Sequence, residues 1–102
     1  MTKGEIIVQI EDQDVLELIP AYLESRRADL DALKNASQKM DFETVRGIGH
    51  KMKGSGGGYG FHPISEIGGK LEFAAKVQDL PGIEQQIADL LDYLNRVEVV
   101  GI

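Results

Sequence analysis

Apolar residues recur at three- and four-residue steps in four blocks of this chain, and a proline or an aspartate punctuates each block. That spacing is the signature of amphipathic helices. In the first block Leu16, Ile19, Leu23, Leu30 and Leu33 form the stripe, with Tyr22 covering a gap near Arg26 and Arg27. Pro20 falls inside this stripe. Proline is disfavoured within a helix and welcome at its first position. The expectation is therefore a short helix near 12–18 and a longer one from about 20 to 38. Asp41 is a good N-cap for the next helix, with Glu43 in its first turn. Pro63 restarts the chain, and Ile64, Ile67, Leu71, Ala74 and Ala75 form the third stripe. Pro81 opens the last helix, with Ile83, Ile87, Leu90, Leu91 and Leu94 as its stripe.

Four long helices joined by short connections make an antiparallel four-helix bundle. The fold class is all-α, with a short extra N-terminal helix and extended terminal arms. The arms are EIIVQI near the start and VEVVGI at the end, both β-branched, and the tail can leave the last helix and lie against the N-terminal arm. The 102 residues are one domain's worth.

Composition narrows the function. No segment approaches the roughly 20 apolar residues that span a bilayer, and no basic stretch followed by an apolar run marks a signal peptide. A cytoplasmic location is the expectation. The absence of cysteine excludes a disulfide framework, a thiolate metal site and a cysteine nucleophile. A net charge of −6 repels nucleic acid. The chain is too short to hold an ordinary nucleotide-binding kinase domain as well, so any phosphate it handles arrives from elsewhere.

The stretch GHKMKGSGGGYGFHP, residues 49–63, holds both histidines and six of the twelve glycines. Its phase suggests a helix. With His50 at zero and about 100° per residue, Val45, Ile48, Met52, Ser55 and Tyr59 fall within about 40° of the opposite pole. Arg46, Lys53, Gly54, Gly57 and Phe61 lie within about 60° of His50. One helix through the glycines is the expectation, with its core on one face and His50 on the other. Gly54 and Gly57 then clear a path to the imidazole, while Gly56 and Gly58 flank that face. Lys51, Lys53 and Arg46 gather cations near the ring. An uncrowded imidazole beside cations suits a phosphoryl carrier. Its nitrogen is nucleophilic near neutral pH, with an unperturbed pKa of about 6.5, and lysines offset the charge that phosphorylation adds.

The run His50-Lys51-Met52-Lys53-Gly54-Ser55, then Gly60, then Leu71-Glu72, resembles the histidine-containing phosphotransfer (HPt) domain. That family's pattern is a histidine, a lysine three on, a glycine four on, another glycine ten on, and a leucine-glutamate pair on the next helix. The resemblance covers roughly residues 12–97, and the Gly56-Gly57-Gly58 run departs from it. It implies that His50 is the phospho-acceptor, that Lys53 supports the phosphohistidine electrostatically and that Gly54 gives the partner room. Arg46, Lys51, Gly57, Phe61 and Glu72 join Gly54 as expected partner-contact residues, with Glu72 orienting the partner or Lys53. The implied partners are a receiver domain and a sensor histidine kinase, with no nucleic acid and no membrane. The implied state is a monomer with no cofactor of its own, and Mg²⁺ is expected on the receiver.

Other readings fit less well. His62 precedes Pro63 at a helix start, where the dipole disfavours a protonated ring, so a junction role is expected. Neither GxxxxGK[ST] nor GxGxxG occurs, which argues against a phosphate-cradling loop. Two histidines twelve apart lack metal-ligand spacing. A helical-bundle adaptor that docks a partner without covalent chemistry is the alternative function. A fragment of a larger kinase is a further one, although the start at Met1 and the completed last helix favour a stand-alone protein.

Overall fold

The computed structural model describes residues 4–102. It is a bundle of four helices, α1 (Gln13–Gln38), α2 (Phe42–Ser55), α3 (His62–Lys76) and α4 (Leu80–Arg96). A strand lies at each end of this series, β1 (Ile6–Ile10) and β2 (Val97–Gly101). Each helix packs on its chain neighbours and α1 also closes on α4, with the densest contact between α2 and α3. No helix among the described residues is long and apolar enough to cross a membrane.

The boundaries follow local chemistry. Asp12 caps α1 by accepting from the backbone N–H groups of Asp14 and Val15. Asp41 accepts from the N–H and the hydroxyl of Thr44, and these bonds hold its carboxyl below the usual range. Asp79 caps α4 through the N–H of Gly82. Two of the interhelix turns share one design. Met40 and Gln78 adopt left-handed backbone, with φ of 56° and 57°. Behind each, the following aspartate N–H returns to the preceding helix, Asp41 to Ala36 and Asp79 to Ala74, both at 2.8 Å. This 6→1 closure satisfies carbonyls that a helix end leaves orphaned.

One helix boundary differs from expectation. Pro20 does not split α1, which runs unbroken for 26 residues, so the separate N-terminal helix is absent. A proline removes one backbone hydrogen bond and crowds the preceding turn. Here its ring sits on the exposed side, while Ile19 and Tyr22 beside it are buried. Packing of that apolar face outweighs the local penalty.

The stripes supply the core. Leu30 and Leu33 of α1, Val45 and Met52 of α2, Ile64 and Leu71 of α3, and Ile83, Leu90 and Leu94 of α4 are all buried. Leu16 and Leu23 are half-buried, and Leu91 lies at the exposed edge of its stripe. The terminal arms pair as expected, in a parallel ladder from Ile6↔Val97 to Ile10↔Gly101. Two strands alone are marginal in water. These turn Ile6, Val8, Ile10, Val97 and Val99 onto the bundle, and Arg96 Nε donates to the Gly4 carbonyl at 2.8 Å.

Candidate functional site

His50 sits in the third turn of α2, and its side chain is 73% exposed. Its Nδ1 lies 2.8 Å from Oε2 of Glu72 on α3. An ionised carboxylate only accepts, so Nδ1 must carry the proton. That hydrogen bond, with the charge of Lys53, holds the Glu72 carboxyl below its ordinary range against the opposing pull of burial. Lys53 Nζ stands 3.6 Å from the other oxygen, Glu72 Oε1. Glu72 thus joins the histidine and the lysine. With Nδ1 protonated and tethered, the free lone pair belongs to Nε2 on the far side of the ring.

The position of Glu72 depends on a seam of glycines. A Cβ on Gly49 would stand 2.7 Å from the Gly68 carbonyl and 2.8 Å from the Glu72 nitrogen. One on Gly68 would meet the Gly49 carbonyl at 2.6 Å and the Lys53 nitrogen closer still. The two backbones therefore touch, which no side chain larger than hydrogen permits. Gly56 extends the seam, since a Cβ there would lie 2.6 Å from the Ser65 nitrogen. By contrast, a Cβ on Gly47, Gly54 or Gly58 would meet nothing within 4 Å. Gly54 is exposed one turn beyond His50, so the surface over the imidazole is clear.

The structure corrects the single helix through the glycines. The α-helix ends at Ser55, and residues Gly57–Tyr59 form a 3₁₀ turn. Gly60 then takes φ of 91° and reverses the chain. The Ser65 hydroxyl stabilises this exit by accepting from the Gly57 N–H at 2.8 Å and donating to the Lys53 carbonyl at 3.1 Å. The helix phase that set Phe61 and Gly57 beside His50 falls with that single helix. Phe61 is fully buried, its ring 5.8 Å from that of Tyr22, because the reversal at Gly60 turns it inward. Gly57 faces the ring of His62, not that of His50. Tyr59 is half-buried and stacks on Tyr22 at 4.2 Å, and the Tyr22 hydroxyl meets Ser55 Oγ at 2.9 Å.

The remaining cations divide. Lys53 belongs to the His50 cluster. Lys51 is exposed and its field reaches Asp29 of α1, whose carboxyl is raised by burial despite Arg26 and Lys51. Arg46 is exposed one turn before His50 and shares a shallow depression with Phe42 and Lys76. His62 opens α3 away from this group. Sequence reasoning assigned Glu72 to the partner or to Lys53 and missed its bond to His50. The Leu71-Glu72 pair was the available signal. The Gly49–Gly68 seam was also missed, and its signal was a glycine on the apolar side of each helix.

Residues 17–99 match the family model described as the Hpt domain. No curated protein and no solved structure matches the chain.

Proposed function

Because the chain belongs to the Hpt domain family, matched over residues 17–99, we propose that it relays a phosphoryl group through Nε2 of His50. The donor is a receiver phosphoaspartate or a sensor kinase, and the acceptor is the aspartate of a receiver domain. The observation that carries this reading is the tethered and exposed ring, with Nδ1 bonded to Glu72 at 2.8 Å and the side chain 73% exposed.

The chemistry follows from that geometry. The Nε2 lone pair forms the P–N bond as the P–O bond to the donor carboxylate breaks, and the electron pair leaves on the carboxylate oxygen. The ring gains positive charge as the bond forms. Glu72 offsets that charge through Nδ1–H, much as a buried carboxylate stabilises a developing imidazolium elsewhere. Charge on the transferring group spreads over its equatorial oxygens, and Lys53, which shares Glu72 with His50, is the cation this reading assigns to meet it. Gly54 leaves the in-line approach open. The return step runs the same bonds in reverse. In this reading the protein acts as a cytoplasmic monomer without a cofactor of its own, and Mg²⁺ comes with the receiver.

The test is transfer from labelled, phosphorylated receiver domains of the same organism to wild type, His50→Gln and His62→Gln. The expected result is an acid-labile, base-stable label on wild type and His62→Gln, and none on His50→Gln. A receiver that binds wild type yet never leaves such a label would replace this reading with that of a non-covalent adaptor.

A further inference from the structure

Phe73 is 65% exposed, an uncommon position for a large aromatic ring. It directly follows Glu72, so its Cα stands about 3.8 Å from that of the residue tethering His50. Its side chain leaves α3 on the stripe that also carries Gly69, one turn earlier. A Cβ on Gly69 would lie 3.7 Å from Cδ of Lys53. The surface therefore runs without a break from His50 across Glu72 and Lys53, over the bare Gly69, to Phe73. Beyond Phe73 a groove of about 490 Å³ opens between α3 and α4, floored by Ala74 and Gln86.

Charge favours the same pair of helices. Helices α2 and α3 carry Arg46, Lys51, Lys53, Lys70 and Lys76 against Glu43, Glu66 and Glu72, a net of +2 within a chain of net −6. Lys70 and Lys76 lie one turn either side of Phe73. An apolar centre flanked by two lysines, with Glu66 and Asp79 confined to the groove beyond it, fits an acidic protein surface with an apolar side chain in it.

We propose that Phe73 is the apolar anchor on which the receiver domain docks, with Lys53 and Lys70 facing its acidic groups. This rests on the reading of His50 as the phospho-acceptor. Transfer brings the receiver's aspartate to Nε2, so the receiver must cover the ground around His50. A standard interface buries about 800 Å² per partner, a disc of about 16 Å radius. Phe73 falls well inside that disc. Exposed aromatics near the centre of an interface are the residue type that carries binding energy. Among the other exposed apolar residues, Val77 follows Phe73 by one turn at the end of α3, while Leu18 of α1 lies beside Tyr59 past the end of α2.

The test compares wild type, Phe73→Asp, Phe73→Leu and Leu18→Asp as acceptors from phosphorylated receiver domains, over a range of receiver concentrations. Direct labelling of His50 by phosphoramidate, a donor that needs no docking, runs in parallel. Phe73→Asp is expected to raise the receiver concentration for half-maximal rate at least tenfold, with the saturating rate unchanged. Phe73→Leu recovers most of the loss, Leu18→Asp behaves as wild type, and phosphoramidate labels all four equally. Wild-type concentration dependence for Phe73→Asp overturns the anchor while leaving His50 as acceptor. So does a loss confined to Leu18→Asp, which places the docking face on α1. Phosphoramidate label on His50 with no transfer from any receiver overturns the receiver as occupant. Absence of label on His50 from either donor overturns the acceptor reading itself, and the anchor with it.

Discussion

Gly49 and Gly54 lie on the same helix, a turn and a half apart, and their missing side chains serve opposite ends. At Gly49 the absence of a Cβ is filled at once by the backbone of α3, within 2.7 to 2.8 Å of where that atom would be. At Gly54 it is filled by nothing within 4 Å. The first glycine brings two helices into contact and thereby sets Glu72 against His50. The second keeps the approach to His50 clear. A glycine in a helix costs roughly 0.8–1 kcal/mol relative to alanine. Gly49 offsets that cost by close packing, and Gly54 does not. The comparison teaches that the stability a residue forgoes can mark access, while the stability it recovers marks construction.

The same substitution at the two positions should therefore act with opposite sign. Gly49→Ala sets a methyl against a carbonyl oxygen, a backbone nitrogen and Leu71 Cβ, none of which is the end of a flexible side chain. Overpacking of this kind costs about 1–3 kcal/mol, which exceeds the propensity gained. Gly54→Ala gains up to about 1 kcal/mol with no clash to oppose it. Urea denaturation of both variants measures the difference. Two shifts in the same direction would break the distinction between seam and open face.

The open face is sharpened by a longer side chain. Gly54→Gln is expected to raise stability slightly while slowing transfer from a receiver about tenfold, the scale of about 1.4 kcal/mol in the barrier. Labelling by phosphoramidate, which needs no bulky approach, should fall far less. Equal slowing with both donors would mean that Gly54 matters for the ring and not for the partner.

How much of this was legible in the sequence depends on how far each determinant reaches along the chain. The boundaries at Asp41, Pro63 and Pro81 rest on caps and prolines within a turn of the helix starts, and they stand as expected. His50, Lys53 and Gly54 lie within five residues and share a helix face, so their grouping was visible from phase alone. Pro20 misled because its local penalty is outweighed by the burial of Ile19 and Tyr22 against other helices. Phe61 misled because a helix phase was carried past Ser55, through glycines that end the helix and a Gly60 that turns the chain. The His50–Glu72 bond spans 22 residues and needs the seam at Gly49 and Gly68 to exist. A pattern on one helix cannot contain it.

Glu72 tests whether the seam serves the chemistry or only the packing. Glu72→Gln keeps an oxygen to accept from Nδ1–H but loses the charge. Transfer is expected to slow several-fold, with the fold intact by circular dichroism, because a charge-assisted bond is roughly twice as strong as a neutral one. The pH dependence gives a second readout. The folded carboxyl titrates below its unfolded value, so the unfolded state binds the proton first as pH falls. The stabilisation is complete above the ordinary carboxylate range and fades as pH drops through the folded pKa. Glu72→Gln should flatten that part of the acid limb. An acid limb identical to wild type would remove the carboxylate from the account.

Gly58 carries the smallest expected effect and the finest test of the comparison. Like Gly54 it is exposed, and a Cβ there would meet nothing within 4 Å. Unlike Gly54 it lies past the end of α2, in the 3₁₀ turn, so it no longer shares a helix face with His50. Its φ is not in the left-handed region, which among the described glycines belongs to Gly60 alone. Alanine can therefore adopt the native backbone at Gly58, and restricting the unfolded chain should stabilise the protein by about 0.4–1 kcal/mol. Transfer from a receiver should run at the wild-type rate. If openness alone governed access, Gly58→Ala would slow transfer as substitutions at Gly54 do. The prediction that it does not follows from geometry, because the clearance that matters is the clearance on the helix face that presents Nε2.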